Sequence, residues 1–311
     1  VRVVDNEYVA QKIGVSPEWI ERRSGIRTRR YAGPTETVAA MGMTAAAKAL
    51  AMAGVKPGQV GSVVVATTSH LTQMPALAPE IAHGIGAANA SAFDISAACA
   101  GFCHALAVGS SMVSAGTADY VLVVASERAT DIFDENDKST AFLFADGAGA
   151  AVVGPAERPG IGPVVWGSDG SKLDAIAMTN FWTPELRTDP DSTWPRLGMT
   201  GWRVYRWATE QLVPVLSKAL SAAGVTAADL QAFIPHQANL LITQALARSL
   251  ELPASVAISE DIVHTGNTSA ASVPLAMDSM LAAGQANQGG LALLVGFGSG
   301  LVYAAQVVEL P

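Results

Sequence analysis

The sequence predicts an α/β protein made of two similar halves, and three observations predict it. Half of its 311 residues are hydrophobic and only 15% are charged, a balance that buries a large core and excludes a disordered chain. The bias is toward Ala, Val and Gly with few aromatics, and short apolar runs alternate with Ala-rich helical segments, which suits helices packed on a buried parallel sheet. Finally, a segment recurs. Lys48-Ala49-Leu50 followed by Gly54-Val55 returns as Lys218-Ala219-Leu220 followed by Gly224-Val225, an offset of 170 residues.

Taken in order, the first Ala-rich helix ends at Gly54, because glycine takes the left-handed conformation that closes a helix. An apolar strand begins near Val60, and the same offset carries Val60, Val63 and Val64 onto Leu230, Phe233 and Ile234. Ala92–Ser96 reads as a short strand, Phe102–Val113 as an uncharged helix, and Tyr120–Val124 and Ala148–Val153 as strands. Arg158-Pro159-Gly160 is the join, giving an N-terminal half over 1–160 and a C-terminal half over 161–311. Thr179–Thr200, with Trp182 and Trp194 and little periodicity, reads as an irregular insertion before a helix starting near Trp202. Leu291–Val295 then matches Tyr120–Val124, Gly296–Gly300 is a Gly-rich turn, and Leu301–Val308 is the last strand.

The net charge of −8 leaves no electrostatic footprint for nucleic acid. Residues 95–118 and 279–308 lack Asp, Glu, Lys and Arg, but their clustered Ser, Gln, Asn and Gly residues fit buried strand–helix segments better than bilayer spans. No targeting segment is expected from the opening residues, and two cysteines are too few for a disulfide framework. A cytoplasmic protein is expected. Cys99, Cys103 and His104 do not make a metal site, since no partner ligand set follows them.

Three residues stand out as chemistry. Cys99 lies at a strand-to-helix turn among small neighbours, where the helix N-terminus favours a thiolate and a lowered pKa; a buried structural cysteine is the other reading. Cys103 falls inside the helix and reads as core. His236 follows the run Ala232–Pro235, at the carboxyl end of a strand where α/β sheets place ligands, and reads either as a proton donor or acceptor or as a hydrogen-bonded structural histidine. Asn267, in His264–Ser272, is a turn and helix-cap signal or an amide aimed at an oxyanion. Gly296–Gly300 lacks the Lys-Ser/Thr of a phosphate-binding loop but can expose backbone N–H groups.

Together, Ser96-Ala97-Ala98-Cys99-Ala100-Gly101-Phe102, Ile234-Pro235-His236-Gln237-Ala238-Asn239 and Gly266-Asn267-Thr268-Ser269-Ala270-Ala271-Ser272 resemble β-ketoacyl-acyl-carrier-protein (ACP) synthase III. Trp19-Ile20, Arg23–Arg27 and Phe144–Ala150 extend the likeness over essentially the whole chain. The resemblance implies the thiolase fold, two duplicated α/β halves in a five-layered αβαβα sandwich, usually a homodimer. It implies that Cys99 takes an acyl group from acyl-CoA as a thioester, which malonyl-ACP then attacks with loss of CO₂ to give 3-oxoacyl-ACP, starting fatty-acid or type II polyketide synthesis. No cofactor is implied, acyl-CoA being a substrate. His236 and Asn267 would hold the enolate oxygen, and the N–H groups of Cys99 and Gly298 (or Ser299) the acyl carbonyl oxygen. Trp19 and Arg23 would contact the CoA nucleotide.

Departures accompany the likeness. Lys138 stands where relatives often carry Arg beside the adenine, keeping the charge but not the planar stacking. Leu241 stands at one position of the basic ACP-docking patch, of which Arg248 remains. Met74, in Leu71–Pro75, matches the segment that lines the partner's acyl pocket, and the family's first strand has no counterpart before Val1, so an incomplete N-terminus is expected. An acyltransferase without condensation is the main alternative; a non-catalytic subunit would have lost Cys99, and no cysteine-hydrolase signature surrounds it.

Overall fold

The computed structural model describes residues 1–180 and 193–311; Trp182 of the insertion lies outside them. The chain opens with β1 (Arg2–Asp5), α1 (Asn6–Ile13), α2 (Pro17–Ser24) and β2 (Thr28–Tyr31), β1 and β2 forming an antiparallel pair. Ser16 caps α2 by accepting the Trp19 N–H, with Pro17 in the first turn, where a missing N–H costs nothing. The first half continues through α3 (Val38–Ala53), β3 (Val60–Ala66), α4 (Leu77–Gly84), β4 (Ser91–Ile95), α5 (Gly101–Ser114), β5 (Tyr120–Arg128) and β6 (Asp146–Val153).

The second half begins with β7 (Val165–Ser168), the hairpin strands β8 (Ile176–Met178) and β9 (Leu197–Met199), and α6 (Gly201–Ala223). It proceeds through β10 (Ala232–Pro235), α7 (Leu240–Ser249), β11 (Ala257–Ile258), α8 (Ile262–Thr265), α9 (Ser272–Ala282), β12 (Leu291–Gly298) and β13 (Val302–Glu309). The expected irregular insertion is thus partly regular, because Leu197–Met199 pairs antiparallel with Ile176–Met178.

The two sheets have orders β4-β3-β5-β6 and β11-β10-β12-β13-β7. In each, three strands are parallel and the next is antiparallel: β6 against β5, and β13 against β12. The recurring helices α3 and α6 both close on a left-handed glycine, Gly54 at φ 65° and Gly224 at φ 69°.

Strand residues alternate faces, and here both faces are apolar. Val63 and Val65 pack on α3 and α4, while Val64 and Ala66 face the middle of the molecule with α5 and α9. In the other sheet Ala232 and Ile234 face the same middle layer, and Phe233 packs outward on α6 and α7. The result is a five-layered sandwich, α3/α4, sheet, α5/α9, sheet, α6/α7, which is the thiolase fold. No helix among the described residues is long and apolar enough to cross a membrane.

Both middle helices are entered through a short 3₁₀ turn, Ala98–Ala100 before α5 and Ser269–Ala271 before α9, offset by 171 residues. Each turn starts at a non-glycine residue with positive φ, Ala98 at 45° and Ser269 at 52°, a sparsely occupied region often found at functional sites. The tips of β5 and β12 reach across to the opposite half's turn. Gly296–Gly298, expected as part of a turn, instead ends strand β12, and the turn proper comes after it. The reason is close approach: a Cβ on Gly296 would lie 2.8 Å from the Ala100 Cα, and one on Gly298 2.7 Å from the Cys99 nitrogen.

Candidate active site

A cavity of about 1160 Å³ opens between the halves, and Cys99, His236, Asn267, Phe297 and Gly298 line it. Cys99 sits in the turn that feeds α5, half-buried. Its Sγ lies 3.4 Å from Ser269 Oγ. The helix-end reading predicted a lowered thiol pKa; the structure reverses it. Burial pushes the thiol up to about 12; the Ser269 hydrogen bond opposes it, the Glu127 charge adds a smaller push, and its own N–H opposes least. Among the described residues no cation offsets the desolvation, and desolvation of this size outweighs a helix terminus.

His236 extends just past β10, its backbone N–H donating to Val295 O at 2.7 Å. The ring meets Phe297 edge-on at 5.2 Å between centroids. Nδ1 lies 2.7 Å from Ser272 Oγ, which also accepts the Gln237 N–H at 3.2 Å. An Nδ1 that accepts from the Ser272 hydroxyl leaves the ring proton on Nε2, and an Nδ1 that donates to it keeps the proton on Nδ1. Burial lowers the His236 pKa to about 3, so the ring is neutral.

Asn267 is fixed by its backbone. Its N–H donates to Leu143 O and its carbonyl accepts from the Ala145 N–H, both at 2.9 Å. Preceding it, Gly266 adopts φ 72°, and a Cβ there would meet the Cβ atoms of Ala145 and Arg29 at 2.9 Å. The side-chain Oδ1 accepts from the Ser269 N–H at 2.9 Å, leaving Nδ2, among the described residues, with a single long contact to Ala238 O at 3.5 Å. The amide N–H₂ is therefore available to a ligand.

At the wider end, Trp19, Arg23 and Lys138 line the same cavity. The Arg23 guanidinium carbon is 4.7 Å and Lys138 Nζ 5.0 Å from the Trp19 ring centroid, within cation–π range. Trp19 is braced edge-on by Phe142 at 5.3 Å. One cavity thus joins a cationic aromatic mouth to a thiol, a neutral imidazole and an amide.

The family described as 3-oxoacyl-[acyl-carrier-protein (ACP)] synthase III matches residues 93–170, and its C-terminal part matches residues 220–310. The chain belongs to the β-ketoacyl-ACP synthase III family. Over its whole length it is 51% identical to β-ketoacyl-ACP synthase III 1 of Streptomyces coelicolor, covering 93% of that protein. It is 48% identical to the mycobacterial β-ketoacyl-ACP synthase III of Mycobacterium avium, covering 92% of it. Among solved structures it is similar to the priming β-ketosynthase from the R1128 polyketide biosynthetic pathway, at 50% identity and TM-score 0.97 over all of this chain and 92% of that one. The 3-oxoacyl-ACP synthase III of Pseudomonas aeruginosa matches at 36% identity and TM-score 0.91, over all of this chain and 94% of the other.

Not every residue singled out in this synthase III sequence reaches the cavity. Arg248 is exposed on α7 outside the lining, whereas Leu241 of the same helix is on it. Met74 is 84% exposed and lines none of the cavity of its own chain. Conversely, Glu127, Ser269, Ser272 and Phe297 surround the site, and the sequence did not point to them. Ser269 and Ser272 lie inside the Gly266–Ser272 motif, hidden behind its helix-capping signal. For Glu127 the available signal was a lone acid ending the apolar run Tyr120–Ser126.

Proposed function

We propose that this chain is a β-ketoacyl-ACP synthase III that condenses an acyl-CoA primer with malonyl-ACP through an acyl thioester on Cys99. The observation that carries the reading is the meeting, in one cavity, of Cys99 with a neutral His236 and the Asn267 amide, whose Nδ2 makes only one long contact among the described residues.

In the first half-reaction the acyl-CoA nucleotide rests on Trp19 between the charges of Arg23 and Lys138, and the Cys99 sulfur attacks the acyl carbon. The backbones of Cys99 and Gly298 are adjacent, which supports both N–H groups as donors to the oxygen that becomes negative. CoA leaves, and the reaction has been split into two easier steps. In the second, the malonyl carboxylate departs as CO₂ and the electron pair moves onto the thioester oxygen. His236 and Asn267 donate to that oxygen, and neither carries a charge that would protonate the enolate carbon. The enolate carbon then attacks the acyl group and releases the Cys99 sulfur, giving 3-oxoacyl-ACP. No group beyond the two substrates is called on.

The ACP approaches the mouth near Arg248, and Met74 serves the pocket of a second subunit. A homodimer is supported by β4, which among the described residues pairs only with β3 and carries the partly exposed Phe93 at a sheet edge. We assign the protein to the cytoplasm, where both substrates are soluble.

Intact-mass measurement after mixing with a panel of acyl-CoAs, followed by a malonyl-ACP chase, tests the function. An adduct on Cys99 that disappears as CO₂ and 3-oxoacyl-ACP appear is the expected result. An adduct stable to malonyl-ACP would instead assign acyl transfer to another acceptor.

A further inference from the structure

The condensing chemistry leaves one buried acid unused. Glu127, at the end of β5, is wholly enclosed. It accepts hydrogen bonds from Thr67 Oγ1, the N–H and Oγ1 of Thr68, the N–H and Oγ of Ser69, and Ser269 Oγ, at 2.5–3.3 Å. Among the described residues no Lys, Arg or His pairs with it; Arg128, next along the strand, turns to Asp131. A buried carboxyl group without a cation is costly to keep. Burial raises its pKa while the surrounding donors pull it down, which suits a group that takes up a proton and gives it back.

Ser269 connects this acid to the nucleophile. Its hydroxyl reaches Glu127 Oε1 at 2.9 Å and Cys99 Sγ at 3.4 Å. Donating to the carboxylate, it turns a lone pair to the thiol. A shared proton fits better here than two independent groups, because thiolate and carboxylate this close repel each other.

We propose that Cys99, Ser269 and Glu127 form a proton relay in which Glu127 is the base for acyl-enzyme formation, an assignment that rests on the function proposed above. As the Cys99 sulfur bonds to the acyl carbon, its S–H proton passes to Ser269 Oγ and the Ser269 proton passes to Glu127. When the carbon–sulfur bond to CoA breaks, the proton returns from Glu127 through Ser269 to the departing CoA sulfur, which at that moment shares the acyl carbon with Cys99. The carboxylate is regenerated, and no proton is gained or lost. His236, the other titratable group on this wall, stays neutral and serves the second half-reaction.

The test compares Ser269→Ala, Glu127→Gln and the double variant in rapid-quench acylation, in Cys99 alkylation by iodoacetamide across pH, and in malonyl-ACP decarboxylation. Glu127→Gln alters the centre of a buried network, so Ser269→Ala, which leaves the other donors of Glu127 in place, is the variant that decides. Loss of a positioned base predicts acylation about 100-fold slower at unchanged KM. In Ser269→Ala alkylation shifts to higher pH, decarboxylation falls at least about tenfold less than acylation, and the double variant is no worse than the worse single one. Acylation and alkylation within about threefold of the unmodified protein in both single variants would overturn the relay. So would equal loss of both half-reactions, or losses that multiply in the double variant. A protein that takes no acyl group yet shows the alkylation shift would overturn the synthase reading and keep the relay.

Discussion

The turn before α5 and the turn before α9 are two editions of one design, and they have diverged in what they carry. Each begins with positive φ, leads into a helix buried between the sheets, and is touched by a strand tip from the other half. At the first turn the side chain presented is the Cys99 thiol, and the strand tip against it is Gly298, whose missing Cβ leaves room for the Cys99 backbone. At the second, Asn267, Ser269 and Ser272 supply polar groups, and the strand tip is Glu127. Glu127 and Gly298 stand 171 residues apart, the same offset as the turns. One turn holds the reacting atom with bare backbone around it. The other carries the polar side chains. Duplication gave two equivalent positions facing one cavity, and the substitutions divide the work between them.

Removing the reacting atom breaks this comparison most completely. Cys99→Ala is expected to abolish the covalent adduct, checked by intact mass; acylation persisting in that variant would move the nucleophile to another residue. Next comes the bare strand tip. Gly298→Ala places a methyl group 2.7 Å from the Cys99 nitrogen, a distance that forces the turn to move. About 1–3 kcal/mol of overpacking in urea denaturation and an acylation rate about 100-fold lower are expected. An equally large loss from Ala at the exposed Gly58, where nothing crowds the added carbon, would show that the effect is not local.

The polar half has its own signature in stability. The depressed pKa of His236 means that below its ordinary value of 6.5 the unfolded chain binds a proton that the folded one refuses, until about pH 3. Its contribution is therefore intact above pH 6.5 and drains away as the pH falls toward 3. Between pH 7 and 5 the loss amounts to about 2 kcal/mol, read as the difference between the unmodified protein and His236→Gln in urea titrations at both values. Smallest is the effect at the mouth, which belongs to neither turn. Trp19→Ala is expected to raise KM for acyl-CoA about tenfold, as loss of one stacked base does, with little change in kcat; a fall in kcat at constant KM would detach Trp19 from CoA binding.

Much of this was legible because the informative residues sit where elements change. The glycines ending α3 and α6 exposed the duplication, and Cys99, His236 and Asn267 each fall where one element gives way to the next. Trp19 and Lys138 came only with the family likeness, since a lone Trp on a short helix has no chemistry of its own. Glu127 was out of reach because its partners, Thr67, Ser69 and Ser269, come from loops that only the folded sheets bring together. The acidity of Cys99 was out of reach for a related reason. A helix start is visible in sequence, but the burial and the neighbouring carboxylate that outweigh it are properties of the packed cavity.

The division of labour between the two turns is tested most directly by carrying Asn267→Ala through both half-reactions in one pulse-chase mass measurement. The account predicts that the variant loads Cys99 from acyl-CoA at close to the normal rate, and that the adduct then turns over about 100- to 1000-fold more slowly when malonyl-ACP is added. Loading and turnover slowed by the same factor would contradict it, making Asn267 a cap that holds the whole site together and leaving the two turns without separate tasks.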